Sequence, residues 1–79
     1  MTAENISLSE EQVLSFVIPG WANWVAQDES GVWWAYSVEP LRNDYGWYEN
    51  EVGMYFRLGM SEPINWAGSV SRVKNGKVL

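Results

Sequence analysis

The chain has 79 residues, 47% of them hydrophobic, and carries a net charge of -5 with no cysteine and no histidine. These values predict one folded domain over residues 1–79 and argue against a disordered chain. The absence of cysteine excludes disulfides. The absence of histidine removes the commonest metal ligand and the usual proton carrier at neutral pH. Six tryptophans therefore stand out, since a chain this short depends on bulky aromatic residues, on oligomerisation or on both.

The charge is distributed unevenly along the chain. Residues 1–41 contain six acids and no base, whereas all five bases lie in residues 42–79. The acidic half would repel a phosphate backbone, so direct nucleic-acid binding is disfavoured. The acidity serves either solubility or an acidic face directed at a basic partner. No basic and apolar leader precedes the domain, and no apolar run approaches the roughly 20 residues of a membrane span. We expect no membrane association and a cytoplasmic location.

Residues 8–18 carry the clearest local signal, that of a short N-terminal helix. Ser9 is a good N-cap, and Gln12 stands three residues later, where it completes a capping box. Pro19 and Gly20 then end the helix. A helix of two to three turns needs a sheet to pack on.

Residues 21–38 read as a β-hairpin around the turn Asp28-Glu-Ser-Gly31. A three-residue loop with Gly31 in a left-handed conformation places Ala26 opposite Trp34 and Trp24 opposite Tyr36. This register separates a more apolar face from a more polar one.

The two faces lead to a prediction about the tryptophans. The apolar face contains Trp24, Trp34 and Tyr36, which we assign to the core. Trp21 and Trp33 fall on the more polar face, where they are either covered by the helix or a partner subunit, or form an exposed aromatic platform.

Further strands are expected within residues 45–58, where Met54, Phe56 and Leu58 would point inward and Tyr55 and Arg57 outward. Residues 66–73 fit a strand or a helical turn equally well, and residues 74–79 read as a mobile tail. The predicted fold class is α+β, with one short N-terminal helix packed on an antiparallel sheet of three to five strands.

Catalytic chemistry has little support. Without histidine or cysteine no common nucleophilic triad forms, and a helix end and a turn explain the acid pairs Glu10/Glu11 and Asp28/Glu29. Glu49 and Glu51 would share a strand face, but a catalytic pair needs a deep cleft that a chain of this size can hardly build. We therefore predict no enzyme activity, no catalytic residue, no metal site and no cofactor. Two binding surfaces remain. One is a partner-binding surface of four residues: Trp21, Trp33, Asp28 and Glu29. The other is an alternative ligand site of Trp47, Tyr48, Tyr55 and Arg57, where a flat, nucleotide-like ligand would stack.

Several segments carry a family resemblance: Ile18-Pro-Gly-Trp21, Trp24-Val-Ala-Gln-Asp28, Gly31-Val-Trp-Trp-Ala-Tyr36, and Trp66 with Ser69. With them the chain resembles small acidic, tryptophan-rich accessory proteins of tailed phages and prophages. The resemblance implies a protein that binds and inhibits or redirects a bacterial host protein. Other small phage proteins sequester the nucleotide signals of bacterial defence systems. No residue role is carried over.

The function expected from these observations is that of a non-enzymatic phage-type accessory protein. It would bind a bacterial host protein, such as a nucleic-acid-binding or defence protein, through an aromatic and acidic surface. One alternative is a protein that sequesters a small nucleotide-like signal at a homo-oligomer interface. A second alternative is a structural or assembly component of a phage particle.

Overall fold

The computed structural model describes residues 15–49 and 51–79. The regular secondary structure in these ranges is nearly all β-strand. Within them the only helix is a three-residue 3-10 helix, Trp66–Gly68, so the predicted α+β class is wrong. Residues 8–14 of the predicted helix lie outside the described residues, and residues 15–18 form a turn and irregular backbone. The strands are β1 Trp24–Gln27, β2 Val32–Tyr36, β3 Leu41–Arg42, β4 Trp47–Tyr48, β5 Tyr55–Met60, β6 Ser71–Lys74 and β7 Lys77–Val78.

Five of these strands form one antiparallel sheet in the order β5-β2-β1-β6-β7. The remaining two, β3 and β4, pair with each other as a separate two-stranded hairpin. The central hairpin of β1 and β2 thus comes first in the sequence, and strands that follow later in the sequence extend the sheet on both sides of it.

The register predicted for the central hairpin is confirmed. Trp24 lies opposite Tyr36, and Ala26 lies opposite Trp34. Gly31 has φ +98°, as the three-residue loop requires, and its N–H donates to the Asp28 carbonyl at 2.9 Å. A local turn therefore sets which residues share a face.

The prediction of which residues form the core is right for Tyr36, which is 4% exposed, and wrong for Trp24 and Trp34, which are only partly buried. Trp33 is 1% exposed and lies in the core cluster, and Trp21 packs against that cluster. Neither residue is part of an exposed aromatic platform. The core cluster on this face also includes Ile18 and Ala22, just ahead of β1, and Val73 of β6, the strand beside β1 in the sheet. The buried core residues are Ile18, Ala22, Val25, Trp33, Ala35 and Val73.

Polar residues on this face explain why its polarity was misleading. Gln27 is 0% exposed, but its Nε2 donates to the Ser61 carbonyl at 3.0 Å and the Gly31 carbonyl at 3.2 Å. The Trp33 indole Nε1 donates to Ser61 Oγ at 2.7 Å. Because these donors have partners, burying them carries a small penalty.

Strand β5 pairs with β2 at one edge of the sheet, and the pairing shifts by one residue at Leu58. Phe56 lies opposite Ala35 on the core side, while Tyr55 lies opposite Tyr36 on the other side. The alternation along the strand follows the prediction. Phe56 nevertheless remains 52% exposed, because no strand of the described chain flanks β5 on its outer side.

The C-terminal segment is ordered as a hairpin. The 3-10 helix Trp66–Gly68 precedes β6, so residues 66–73 contain both a helical turn and a strand. The segment expected to be a mobile tail instead includes β7, which pairs with β6. Asn75 and Gly76 have φ +54° and +78°, the left-handed conformations of a tight two-residue hairpin turn.

Candidate ligand cavity

The second face of the sheet, opposite the core, carries a cavity of about 290 Å³. The cavity lies where β3 and β4 and the residues after them fold over β1, β2 and β5. Its lining consists of five aromatic and two acidic residues: Asp28, Trp34, Tyr36, Trp47, Tyr48, Glu49 and Tyr55. Trp34 and Tyr36, which the sequence assigned to the core, therefore line this cavity.

Asp28 joins the sheet to the hairpin that covers it. Its Oδ2 accepts a hydrogen bond from the Trp34 indole Nε1 at 3.1 Å, and its Oδ1 accepts one from the Trp47 backbone N–H at 2.9 Å. Both carboxylate oxygens are thus engaged, one with a ring that lines the cavity and one with the strand that covers it. The geometry of the cavity depends on this one side chain.

The turn between β3 and β4 is built locally around Asn43. Its Oδ1 accepts hydrogen bonds from the N–H groups of Tyr45 and Gly46, each at 2.9 Å. An asparagine that bonds to the backbone two residues ahead is a common turn-forming arrangement. The Glu29 N–H also donates to the Tyr45 carbonyl at 3.0 Å, so the turn is held against the tip of the central hairpin.

A hydrogen bond and a ring contact orient the aromatic side chains of the cavity. Trp47 Nε1 donates to the Trp66 carbonyl at 3.2 Å, which ties β4 to the 3-10 helix. The rings of Trp34 and Tyr55 contact each other, with centroids 5.8 Å apart and an angle of 59° between their planes. Tilted pairs of this kind are a favoured aromatic arrangement. Contacts within the chain therefore orient both indole rings.

The electrostatic character of the cavity is negative. Burial raises the pKa of the Tyr36 hydroxyl above its usual value, and the nearby Asp28 and Glu49 carboxylates raise it further. Tyr36 therefore stays neutral, and its hydroxyl lies 3.5 Å from the Trp47 carbonyl, to which it donates. Among the described residues, the buried Oε2 of Glu49 has no hydrogen-bond partner.

This combination of groups favours a positively charged ligand. Aromatic ring faces attract cations, and the attraction grows when the cation is removed from water. Two carboxylates line the same space, and no basic side chain of the described chain lines it. An organic cation would gain both interactions, whereas a phosphate would be repelled.

The structure places the predicted site residues in three environments. Trp21 and Trp33 belong to the core, Asp28 holds the cavity together, and Glu29 is exposed at the hairpin tip. The four residues of the predicted partner-binding surface are therefore not brought together.

Three of the four residues of the alternative ligand site do line one cavity: Trp47, Tyr48 and Tyr55. The fourth, Arg57, lies opposite Trp34 in the sheet and outside the lining.

Three lining residues were missed as site residues: Trp34, Tyr36 and Glu49. For the first two a signal was present, since the hairpin register places them on one face with Asp28. Glu49 stands beside Trp47 and Tyr48 in sequence, but nothing in that pattern shows that its carboxylate faces the hairpin. Only the folding of the chain after β4 brings it there.

Comparisons of this chain with protein-family models, with curated proteins and with solved structures gave no match. The resemblance to phage accessory proteins therefore stays a prediction. In the described part of the chain no helix has the length and apolar character needed to cross a membrane.

Proposed function

We propose that this chain is a non-enzymatic binding protein that recognises a protein partner by accepting a positively charged side chain into the aromatic and acidic cavity. The observation that carries the proposal is the lining itself, five aromatic residues and two carboxylates with no basic side chain of the described chain among them. Such a lining matches the chemistry of cation recognition.

The distribution of charge supports a basic partner. The whole chain has a net charge of -5, and the cavity lies on a face that includes Asp28 and Glu49. A long-range negative field speeds the approach of a basic protein, and the desolvated contact in the cavity then provides most of the affinity. Aromatic residues are the residue type that most often dominates such contacts.

The size of the cavity favours one side chain over a whole metabolite. Pockets that enclose small-molecule ligands are commonly about 300–1,000 Å³. At about 290 Å³ this cavity lies at the lower limit of that range. The nucleotide-like alternative gains from the presence of Trp47, Tyr48 and Tyr55 in the lining, but the carboxylates there oppose a phosphate.

The biological partner we propose is a bacterial host protein in the host cytoplasm, which this chain would inhibit or redirect by binding. The support for this part of the proposal is the resemblance of the hairpin to those of phage accessory proteins. The support for a basic side chain as the contacting group is independent of that resemblance and comes from the cavity.

A displayed library of random peptides, selected on the purified protein, tests the proposal. We expect enrichment of peptides that contain lysine or arginine, and loss of their binding to a Glu49→Gln variant. Glu62→Gln is the matched control, because Glu62 is exposed and does not line the cavity. Enriched peptides without basic residues, or basic peptides that bind both variants equally, would overturn the proposal.

A further inference from the structure

We infer that the cation selected by this cavity is the guanidinium group of an arginine side chain. The inference rests on the proposed function and specifies its ligand. It rests on three observations. Asp28 already accepts hydrogen bonds whereas the Glu49 carboxylate accepts none from the described residues, aromatic rings line the same cavity, and the Tyr36 hydroxyl is neutral.

Glu49 provides the direct hydrogen-bonding contact. Its Oε2 is buried, and among the described residues it has no donor. Protein atoms cover this oxygen, so a ligand N–H group meets the carboxylate at its other oxygen, Oε1, which is not buried in this way. A quaternary ammonium group, which has no N–H, would leave this oxygen unpartnered. The free carboxylate oxygen therefore argues against a fully methylated amine.

Asp28 contributes charge, and one lone pair of each of its oxygens is already used. Its two oxygens already accept hydrogen bonds from Trp34 Nε1 and from the Trp47 N–H. Tyr36 remains neutral because burial and the two carboxylates raise its pKa, and its hydroxyl already donates to the Trp47 carbonyl. The acceptors that lining side chains offer a ligand include the Glu49 carboxylate and the hydroxyl oxygens of the three lining tyrosines, Tyr36, Tyr48 and Tyr55.

The combination of aromatic rings with a carboxylate separates arginine from lysine. A lysine ammonium is a compact, strongly hydrated charge with three donors that need acceptors around one point. A guanidinium is planar, spreads its charge and is weakly hydrated, so its faces can rest on aromatic rings while its edge meets one carboxylate. The wall formed by Trp34 and Tyr55 offers such ring faces, and Glu49 offers the carboxylate.

Capped single-residue probes test the inference directly. N-acetyl-arginine methylamide would be titrated into the protein, alongside the same derivatives of lysine, trimethyl-lysine and citrulline, which resembles arginine but is uncharged. The indole N–H signals of Trp34 and Trp47 in NMR spectra report occupancy, because both rings line the cavity. We expect arginine to bind about tenfold more tightly than lysine or citrulline, as hydrogen bonds to charged groups and ring stacking require.

Two variants locate the binding. Glu49→Gln should reduce arginine affinity about tenfold, and Glu62→Gln should leave it unchanged. Tyr48→Ala provides a second cavity variant should Glu49→Gln not fold, because Tyr48 is 43% exposed and its removal leaves the core intact. This variant should also weaken arginine binding.

The outcomes separate the two proposals. Equal or tighter binding of lysine or trimethyl-lysine overturns the guanidinium inference and leaves the proposed function in place. Failure of every probe to shift the two indole signals also overturns the inference. The peptide-library selection then shows independently whether the proposed function falls with it.

Discussion

Gly46 lies directly against the carboxylate of Asp28, so close that a Cβ at position 46 would overlap Oδ1. The same oxygen accepts the hydrogen bond from the Trp47 N–H. Close approach of the β3–β4 turn to the sheet therefore requires glycine for reasons of space. The walls of the cavity depend on a contact between two residues 18 positions apart in sequence.

Gly46→Ala should destabilise the protein by about 1–3 kcal/mol, because the added methyl group forces the turn away from Asp28. Thermal unfolding followed by circular dichroism measures the change. Gly20→Ala is the matched control, since a Cβ at position 20 meets no atom within 4 Å. Equal melting temperatures for the two variants would show that the turn does not pack as described.

Asp28→Asn preserves the shape of the side chain but replaces one acceptor with an N–H₂ donor. One of the two donors, Trp34 Nε1 or the Trp47 N–H, would then face another donor. We expect a loss of about 1–3 kcal/mol in the free energy of unfolding, measured by urea denaturation. The neighbouring Glu29→Gln, at an exposed position, should change that free energy little. Equal losses in the two variants would contradict the role of Asp28.

Trp33→Ala should cost about 3–5 kcal/mol in the free energy of unfolding, because it removes a large side chain that is 1% exposed. That is a large share of the stability of a small domain. Tyr48→Ala, at a cavity residue that is 43% exposed, should cost much less and instead impair binding. Urea denaturation of both variants makes the comparison. A stable Trp33→Ala protein with impaired partner binding would restore the exposed-platform interpretation.

The raised pKa of Tyr36, caused first by burial and then by Asp28 and Glu49, predicts a loss of stability in alkali. The folded protein keeps the phenol neutral, whereas the unfolded chain ionises it near pH 10. Stability from this group is therefore complete below about pH 10 and falls above it by up to about 1.4 kcal/mol per pH unit. Urea denaturation between neutral and alkaline pH measures the slope.

Tyr36→Phe should show a shallower alkaline decline than the wild type, because the group responsible is gone. Tyr45→Phe removes a hydroxyl at an exposed position and should retain the wild-type slope. Parallel declines in all three proteins would assign the effect to another group.

The predicted N-terminal helix illustrates the limits of local signals. Its capping residues lie outside the described residues, and its predicted last turn is irregular, with Ile18 entering the core. A short helix gains little from propensity and capping alone, so tertiary contacts decide whether its end forms. The same holds for residues 66–73, where sequence left two structures open and the chain adopts each in turn.

The sequence by itself determined the register of the central hairpin, because a three-residue loop with Gly31 at positive φ is a local arrangement. It also determined that Trp24, Trp34 and Tyr36 share one face, since side chains alternate along a strand. It indicated that Trp47, Tyr48 and Tyr55 belong to one site.

Only the tertiary structure decided which face became the core. Alternation shows which residues point the same way, but other parts of the chain decide what packs against them, here Ile18 and Ala22 ahead of β1 and Val73 of the neighbouring strand β6. Gln27 was buried with its Nε2 bonded to distant groups around Ser61, while its Oε1 has no hydrogen-bond partner among the described residues. The hairpin of β3 and β4, held by Asp28, covers only part of the opposite face, and the space beneath this hairpin forms the cavity.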